Sequence, residues 1–295
     1  MSPTAPPTGI IWLASYPKSG NTWTRTFLHN LLKIMRGEAD QGFSINEMNE
    51  FTAWEISNKR FEEVLGRDPR EVERIDIAKA RPEVQRRIAD EAGGIAFIKT
   101  HHALMMDRGY PAINLSVTSG AVYIIRNPLD VAISYAHHMG KDIDTAIAAM
   151  GADDLETRVT EKSVYEVFGS WRQHVLSWAG TPHRAIYVMR YEDMLADPHK
   201  VFGGLARHLL LEPTSEQLDG AINFASFDRL RAQEDKEGFR ERPEQSAKFF
   251  REGRAGQWRE RLTPVQIDQL VKANGDVMEK FGYWPLDQAD LKSEN

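Results

Sequence analysis

The sequence predicts a single α/β domain in which helices cover both faces of a central parallel sheet. Short apolar segments alternate with helical patterns along the 295 residues, which is typical of a parallel sheet between two layers of helices. The apolar segments contain few polar residues, as expected for strands that are buried on both faces. No Gly-, Ser- or Pro-rich linker divides the chain. We therefore expect one domain over residues 10–288, a disordered tail over 1–9 and a flexible C-terminus over 289–295.

Four segments are predicted to be strands, because each is short, apolar and bounded by residues that favour turns. All four are rich in the β-branched and aromatic residues that pack well in a sheet. In chain order the predicted strands are Ile10–Ser15, Gly94–Lys99, Ala121–Arg126 and Ala185–Met189.

Helices are predicted between and after these strands. Apolar residues recur at helical spacing from Trp23 to Ile34, so a helix follows the first strand. Another helix begins at Asn127, a favoured N-cap residue, with Pro128 at the first helical position. Helices dominate after Val201. The remaining predicted segments are a helix over Val164–Trp178, a charged loop over Gln233–Trp258 and a closing helix over Val265–Phe281.

The composition excludes several classes of function. With a net charge of −6 and interspersed charges, the chain lacks the basic face of a nucleic-acid binder. No apolar run approaches the ~20 residues of a transmembrane helix, and the N-terminus does not resemble a signal peptide. The absence of cysteine excludes thiolate catalysis and Cys-ligated metals, and it is consistent with a cytoplasmic protein. The pairs His101–His102 and His137–His138 have no acidic cluster beside them, so we predict no metal site.

A polar loop, Tyr16–Trp23 (YPKSGNTW), leads from the first predicted strand into the first helix. A loop that enters a helix N-terminus at the carboxyl end of a parallel strand is a ready anion site. Lys18 contributes a charge, and its neighbours contribute amides and hydroxyls; for K-S-G alone, a solvated turn is the alternative. The loop is not the common nucleotide motif G-x-x-x-x-G-K-[ST]. The nearest match to that motif, Gly93–Thr100, has Ile98 in place of the second Gly.

Six segments resemble, in the same order, those of the cytosolic-type sulfotransferases, which use 3′-phosphoadenosine 5′-phosphosulfate (PAPS). YPKSGNTW is similar to the family's 5′-phosphosulfate loop, and FIKTHHAL is similar to the segment that holds its catalytic base. VYIIRNPLDVAISY and FFREGRAGQW resemble the two segments that bind the 3′-phosphate. RYEDM and SFDRL resemble segments that lie near the nucleotide. The matches extend from Ser15 to Trp258, and they imply a P-loop-like fold.

The resemblance assigns residues to PAPS and to its product, adenosine 3′,5′-bisphosphate (PAP). Trp23 and Phe227 would stack on the adenine, although core packing is the alternative for both. Arg126 would bind phosphate, with a surface ion pair to Asp130 as the alternative. The full implied nucleotide set is Lys18, Ser19, Gly20, Asn21, Thr22, Trp23, Arg126, Ser134, Tyr191, Phe227, Arg251 and Gly253, and the implied catalytic set is His101, Lys18, Lys99 and Ser134.

The alternation of side chains in a strand selects the base from the two adjacent histidines. Lys99 and His101 share one face, whereas His102 points to the other. An imidazole suits proton removal from a hydroxyl near neutral pH, and lysines suit the charge that develops on a transferred sulfuryl group. We therefore predict in-line transfer to an alcohol or phenol with His101 as general base and without a metal. The rivals are a small-molecule kinase and a non-catalytic nucleotide-binding protein.

Some positions depart from the family's pattern. Glu252 stands where the 3′-phosphate loop usually has Lys, and Ala225 replaces a hydroxyl residue near the adenine Phe. The family's dimer-associated segment is matched only loosely after Trp258, so both a monomer and a homodimer remain open. The acceptor pocket is expected in loops Gln41–Arg60, Met105–Tyr110 and His137–Met150. Its candidate apolar lining for an aromatic or lipid-like alcohol is Phe43, Trp54, Met105, Met106 and Tyr110.

Overall fold

The computed structural model of the chain describes residues 8–38, 43–243 and 245–284, so most of both predicted terminal tails lies outside the described residues. The strands are β1 Gly9–Ser15, β2 Thr52–Ala53, β3 Ile95–Thr100, β4 Met106–Asp107, β5 Tyr110–Pro111, β6 Thr118–Ile125 and β7 Ile186–Arg190.

The helices account for most of the remaining chain, together with short 3₁₀ turns at Ile45–Glu47, Pro69–Glu71 and Leu115–Val117. They are α1 Asn21–Met35, α2 Met48–Phe51, α3 Asn58–Leu65, α4 Arg74–Ala92, α5 Pro128–Met139, α6 Ile143–Met150, α7 Trp171–Ala179, α8 Tyr191–Ala196, α9 Pro198–His208, α10 Ser215–Phe224, α11 Phe227–Glu237, α12 Trp258–Arg261 and α13 Pro264–Lys280.

Five parallel strands form the central sheet in the order β2-β3-β1-β6-β7, and β4 pairs with β5 in a small antiparallel hairpin. The predicted fold class is therefore confirmed. All four predicted strands are present, with bounds that differ by one to three residues. Sequence analysis missed β2, because a strand of two residues leaves no periodic pattern to detect.

Side chains of the sheet alternate between two hydrophobic cores. Leu13 of β1 packs with α1, α9 and α10 on one face, whereas its neighbours Trp12 and Ala14 pack with α4, α5, α7 and α13 on the other. These side chains are fully buried, as expected for a sheet that is covered on both faces. No helix in the described ranges is both long and apolar enough to cross a bilayer.

The predicted helix Val164–Trp178 is wrong in its first half, because α7 begins only at Trp171. Gly169 has a left-handed φ of 62°, and the Ser170 hydroxyl accepts the Gln173 N–H while the Gln173 side chain accepts the Ser170 N–H. This capping box fixes the start of the helix. The preceding residues run alongside the end of β3, where Val167 N–H donates to His102 Nδ1.

The predicted loop Gln233–Trp258 also needs correction at both ends, because α11 continues to Glu237 and α12 begins at Trp258. The many charged residues of this stretch favour the prediction of a solvent-exposed loop. Glu234 is in fact buried, and its carboxylate accepts the N–H groups of Phe249 and Phe250. These tertiary hydrogen bonds join the last turns of α11 to the chain around Phe250.

The capping box gives a test of the fold that needs no assay of function. Ser170→Ala removes the acceptor for the Gln173 N–H and should lower the free energy of unfolding by about 1 kcal/mol. The control is Thr181→Ala, at an exposed position after α7, which should change stability by less than about 0.5 kcal/mol. Denaturant unfolding of both variants measures the difference, and equal stabilities would show that the cap does not hold the start of α7.

Candidate active site

The loop between β1 and α1 presents free backbone amides to a cavity at the carboxyl edge of the sheet. Gly20, the N-cap residue of α1, has no side chain to cap the helix, and the first turn contains no acidic residue. A Cβ on Gly20, whose φ is 108°, would lie 2.8 Å from Cδ2 of Tyr191. Glycine therefore allows the loop to approach the ring of Tyr191 and leaves the helix N-terminus open to an anion.

Three cations, Lys18, Arg126 and Arg251, line the cavity near this helix N-terminus. Burial, and then the charges of Arg126 and Arg251, lower the pKa of Lys18 from 10.5 to about 8. None of the three forms a salt bridge with any residue that the structure describes. Clustered cations destabilise one another when no anion is present, so this part of the cavity is built for a negatively charged ligand.

Arg126 is positioned by the parts of the chain around it and does not pair with Asp130. Its Nη1 donates to the Lys18 carbonyl at 3.0 Å, and its guanidinium lies 4.2 Å from the centroid of Tyr191. Asp130 instead accepts the N–H groups of Gly256 and Trp258. The alternative of a surface ion pair is therefore wrong, and Arg126 keeps donors available for a ligand.

Two of the predicted aromatic residues, Trp23 and Phe227, line the same cavity. The Trp23 ring makes edge contacts with Tyr191 and Phe202, and its buried Nε1 has no hydrogen-bond partner. Gly253 has a φ of 61°, and a Cβ there would lie 2.3 Å from Cδ2 of Phe227. The absence of a side chain at Gly253 therefore lets this loop pass directly against the Phe227 ring.

His101 is held with its Nε2 available as a base. Its Nδ1 lies 2.7 Å from the Ser15 carbonyl oxygen. A carbonyl can only accept, so Nδ1 carries the proton and Nε2 carries the free lone pair. Burial, and then the charge of Lys99, hold the pKa of His101 well below its ordinary value of 6.5. The imidazole is therefore neutral near pH 7.

A second layer of buried side chains supports His101, and sequence analysis missed all of its members. Glu166 accepts the His101 N–H at 3.0 Å, and its carboxylate lies 3.9 Å from the Lys99 ammonium. The Tyr123 hydroxyl donates to Nδ1 of His174, whose Nε2–H donates to the His101 carbonyl. The backbone N–H of His101 is thus bound by Glu166, and its backbone carbonyl is bound by His174.

His102 is separated from the cavity. Its side chain is fully buried, and its Nδ1 accepts the Val167 N–H at 3.0 Å. Lys99 and His101, by contrast, both line the cavity. The strand alternation predicted from the sequence thus extends one residue beyond the end of β3.

The cavity has a volume of about 1290 Å³. This exceeds the roughly 300–1,000 Å³ of a typical small-ligand pocket and leaves room for two reactants.

Of the predicted site residues, Ser19 does not line the cavity, because its side chain is buried, and its Oγ has no hydrogen-bond partner. The Asn21 side chain donates to the Leu13 carbonyl and supports the loop. The predicted residues that the structure brings together around the cavity are Lys18, Gly20, Asn21, Thr22, Trp23, Lys99, His101, Arg126, Ser134, Tyr191, Phe227, Arg251 and Gly253.

Carboxylates anchor the described residues 238–243 and 245–257, several of which line this cavity. Glu241 forms a bidentate ion pair with the buried Arg25 of α1, at 2.8 and 2.9 Å. Glu234 and Asp130 accept backbone N–H groups from the same segment, as described above. Glu252 lines the cavity and pairs with Arg254 at 2.9 Å, so it does not point simply to solvent. Within the described ranges no group of three or more His, Asp or Glu residues is arranged to hold a metal ion.

The expected apolar acceptor lining differs from what the structure contains. Of the five residues named for it, Trp54 lines the cavity. Phe43 instead stacks on His29, and Met105, Met106 and Tyr110 belong to or flank the β4–β5 hairpin. Ala53 and Ile56, and His138 and Met139, also line the cavity and lie in two of the three loops expected to form the acceptor pocket. Further lining residues come from a connection to which no structure was assigned from the sequence, namely Thr157, Arg158, Thr160, Lys162 and Ser163.

Comparison with known proteins is consistent with this geometry. A family model described as the sulfotransferase domain matches residues 9–282. Luciferin sulfotransferase of Photinus pyralis is 28% identical, over 89% of this chain and 70% of the relative. Cytosolic sulfotransferase 16 of Arabidopsis thaliana is 26% identical, over 94% and 77%. Cytosolic sulfotransferase 5 of the same plant is 31% identical, over 52% of this chain and about half (51%) of the relative.

Solved structures share the fold at lower identity. Mouse sulfotransferase SULT7A1, complexed with PAP, superposes with a TM-score of 0.59 at 20% identity, over 96% of this chain and 87% of that chain. Retinol dehydratase, complexed with retinol and PAP, gives a TM-score of 0.61 at 20% identity, over 94% and 82%. With the family model matched along almost the whole described chain, the protein belongs to the sulfotransferase domain family and has its P-loop-like α/β fold.

Proposed function

We propose that the protein transfers a sulfuryl group from PAPS to the hydroxyl of a small acceptor molecule. One observation carries this proposal: the cations Lys18, Arg126 and Arg251 cluster in the same cavity as a neutral His101 with its Nε2 free. The cations suit an anionic donor, and the imidazole suits an acceptor hydroxyl. The names of the curated relatives and the PAP in the two related structures favour the same reaction.

The residues around the cavity fit a nucleotide with two anionic ends. We assign the amides at the start of α1 and Lys18 to the 5′-phosphosulfate, and Arg126, Ser134 and Arg251 to the 3′-phosphate. Buried polar atoms without partners, such as Trp23 Nε1 and Arg126 Nε, are donors that a ligand would satisfy. Trp23 and Phe227 supply aromatic faces for the adenine.

The proposed reaction uses groups that the chain itself supplies. Nε2 of His101 takes the proton as the acceptor oxygen bonds to sulfur, while the bond between sulfur and the 5′-phosphate oxygen breaks. Lys18 and Lys99 stabilise the negative charge on the sulfuryl oxygens and on the leaving phosphate. A sulfuryl group carries less charge than a phosphoryl group, so positioning and these cations suffice without a metal.

Two rival functions differ in testable ways. A kinase of the P-loop class would bind ATP–Mg, whereas the loop here lacks the G-x-x-x-x-G-K-[ST] pattern. A non-catalytic binding protein would need the cations but not the ordered hydrogen bonds around His101.

The proposal includes a cytoplasmic location, as expected from the sequence. It leaves the protein as a monomer or a homodimer.

The first prediction concerns the nucleotide. PAP should raise the melting temperature of the protein, because a ligand of the native state stabilises it; at 100 times its Kd the gain is about 2.7 kcal/mol. Differential scanning fluorimetry with PAP and with ATP–Mg measures this. A shift with ATP–Mg and none with PAP would refute the proposal in favour of a kinase.

The second prediction separates the two adjacent histidines with matched substitutions. His101→Asn keeps a donor for the Ser15 carbonyl but removes the base, so sulfuryl transfer should fall by ~10²–10⁴-fold while PAP affinity is retained. His102→Asn keeps an acceptor for the Val167 N–H and should cost less than about tenfold. Single-turnover rates with PAPS and a working acceptor, together with PAP titration, give both readouts. Equal losses in the two variants would remove His101 from the role of base.

The third prediction is the pH profile of kcat/KM for PAPS, which reports the free enzyme. The pKa of His101 is lowered, so protonation should reduce activity only below pH 6.5. The pKa of Lys18 is lowered to about 8, so activity should fall as the pH rises through 8 and Lys18 loses its charge. Lys18→Arg should remove this alkaline limb, because Arg stays charged. An alkaline limb near 10.5 would contradict the role given to the Lys18 environment.

A further inference from the structure

Cations outnumber acids around the cavity, although the chain carries a net charge of −6. Among the described residues that line it, eight are Lys or Arg and three are Glu. Each of these acids already has a cationic neighbour within 4 Å; the pairs are Glu166–Lys99, Glu241–Arg25 and Glu252–Arg254. The cavity therefore has an excess of positive charge that the protein itself does not neutralise.

The nucleotide accounts for only part of this excess. Lys18, Lys99, Arg126 and Arg251 have roles at the two anionic ends of PAPS or at the transferred group. Three more lining cations remain: Arg158, Lys162 and Arg240. All three are exposed, and none forms a salt bridge with a residue in the described ranges. They are thus available to a second ligand in the same cavity.

Two of these cations lie on the segment that supports the base. Thr157 and Glu166 pair through backbone and side-chain hydrogen bonds, so residues 157–166 form a narrow loop, and Arg158 and Lys162 lie between them. Glu166 accepts the His101 N–H at 3.0 Å. At no more than about 3.6 Å per residue, the Cα of Lys162 is within about 14 Å of that of Glu166. A flexible lysine at this distance can contact an acceptor whose hydroxyl is at His101.

The segment that carries Trp54 is hydrogen-bonded to this loop and is linked through Arg25 to the neighbour of the third cation. The backbone after Trp54 bonds to the loop, since Val164 N–H donates to the Ile56 carbonyl. Before it, the Thr52 hydroxyl accepts from Arg25, which also binds Glu241, the neighbour of Arg240. Trp54 is 46% exposed and lines the cavity. Its ring is an apolar face for an acceptor in the same cavity as these cations.

We infer that the acceptor is a hydroxylated small molecule that also carries an anionic group, a carboxylate, sulfate or phosphate. In this inference, which rests on the proposed sulfotransferase function, Trp54 packs on the body of the acceptor. Arg158 and Lys162, on the loop that holds Glu166, bind its anionic group, and Arg240 adds to the positive charge of the same cavity. The inference differs from the apolar lining expected from the sequence, of which it keeps Trp54.

The test compares acceptors that differ only in charge. The pairs are para-hydroxyphenylacetate with its amide, and para-hydroxyphenylpropionate with its amide; the methylene groups keep the reactivity of the phenol nearly equal within a pair. We expect kcat/KM to favour the acid about tenfold at low ionic strength, since each exposed charge contributes little but three act together. The preference should decrease toward about 0.15 M salt, where charges are screened beyond about 8 Å.

A matched pair of triple variants assigns the preference to these cations. Arg158→Gln, Lys162→Gln and Arg240→Gln together should bring the acid-to-amide ratio close to one. The control carries Lys79→Gln, Lys200→Gln and Lys272→Gln, which change the net charge equally at exposed positions outside the cavity lining. It should keep the ratio of the unmodified protein.

The outcomes separate this inference from the proposed function. Equal use of acid and amide, a preference for the amide, or the same acid preference in both triple variants would overturn the inference. If PAP raises the melting temperature but no acid is sulfated, the inference is overturned and the nucleotide assignment stands. If PAP does not bind, the proposed function itself fails.

Discussion

The hydrogen bond from His101 Nδ1–H to the Ser15 carbonyl is the interaction on which the proposed chemistry depends. It exists because β1 and β3 are neighbouring parallel strands in a register that pairs Ala14 with Thr100, so the next residue of each lies at the same edge. The bond fixes the tautomer and leaves Nε2 as an acceptor. The Glu166 carboxylate and His174 then hold the peptide groups on either side, so the ring has little freedom to turn away.

The same edge of the sheet gathers cations that repel one another. Lys18 follows β1 and Arg126 follows β6, while Arg251 comes from the segment 238–257. Asp130, Glu234 and Arg25 anchor that segment and are buried, and Arg25 pairs with the partly exposed Glu241. Removing one partner of a buried charge would leave that charge unpaired, so these contacts help to offset the repulsion.

The sequence allowed the fold class to be predicted, and it placed the cations proposed to bind the nucleotide at or just after strand ends, because both predictions depend on local signals. Apolar runs identify buried strands, and their carboxyl ends carry Lys18, Lys99 and Arg126 as short motifs. The support of His101 by Glu166 and His174 was not predictable, since the contacts join residues that are more than 60 positions apart. The apolar spacing from Val164 to Trp178 mimicked a helix, and only the Ser170 cap shows where the helix starts.

The half of the cavity proposed for the acceptor was predicted only in part, since the sequence indicated Trp54 but not Arg158 or Lys162. Lys18, Lys99 and Arg126 lie at or just after strand ends, whereas Trp54, Arg158 and Lys162 lie on irregular connections whose paths are set by contacts such as Val164 N–H to the Ile56 carbonyl. That same connection ends in Glu166, which binds the His101 N–H. Under the proposed function, an acceptor that contacts the 157–166 loop would act on a segment bonded directly to His101, so acceptor binding and alignment of the base would be physically linked.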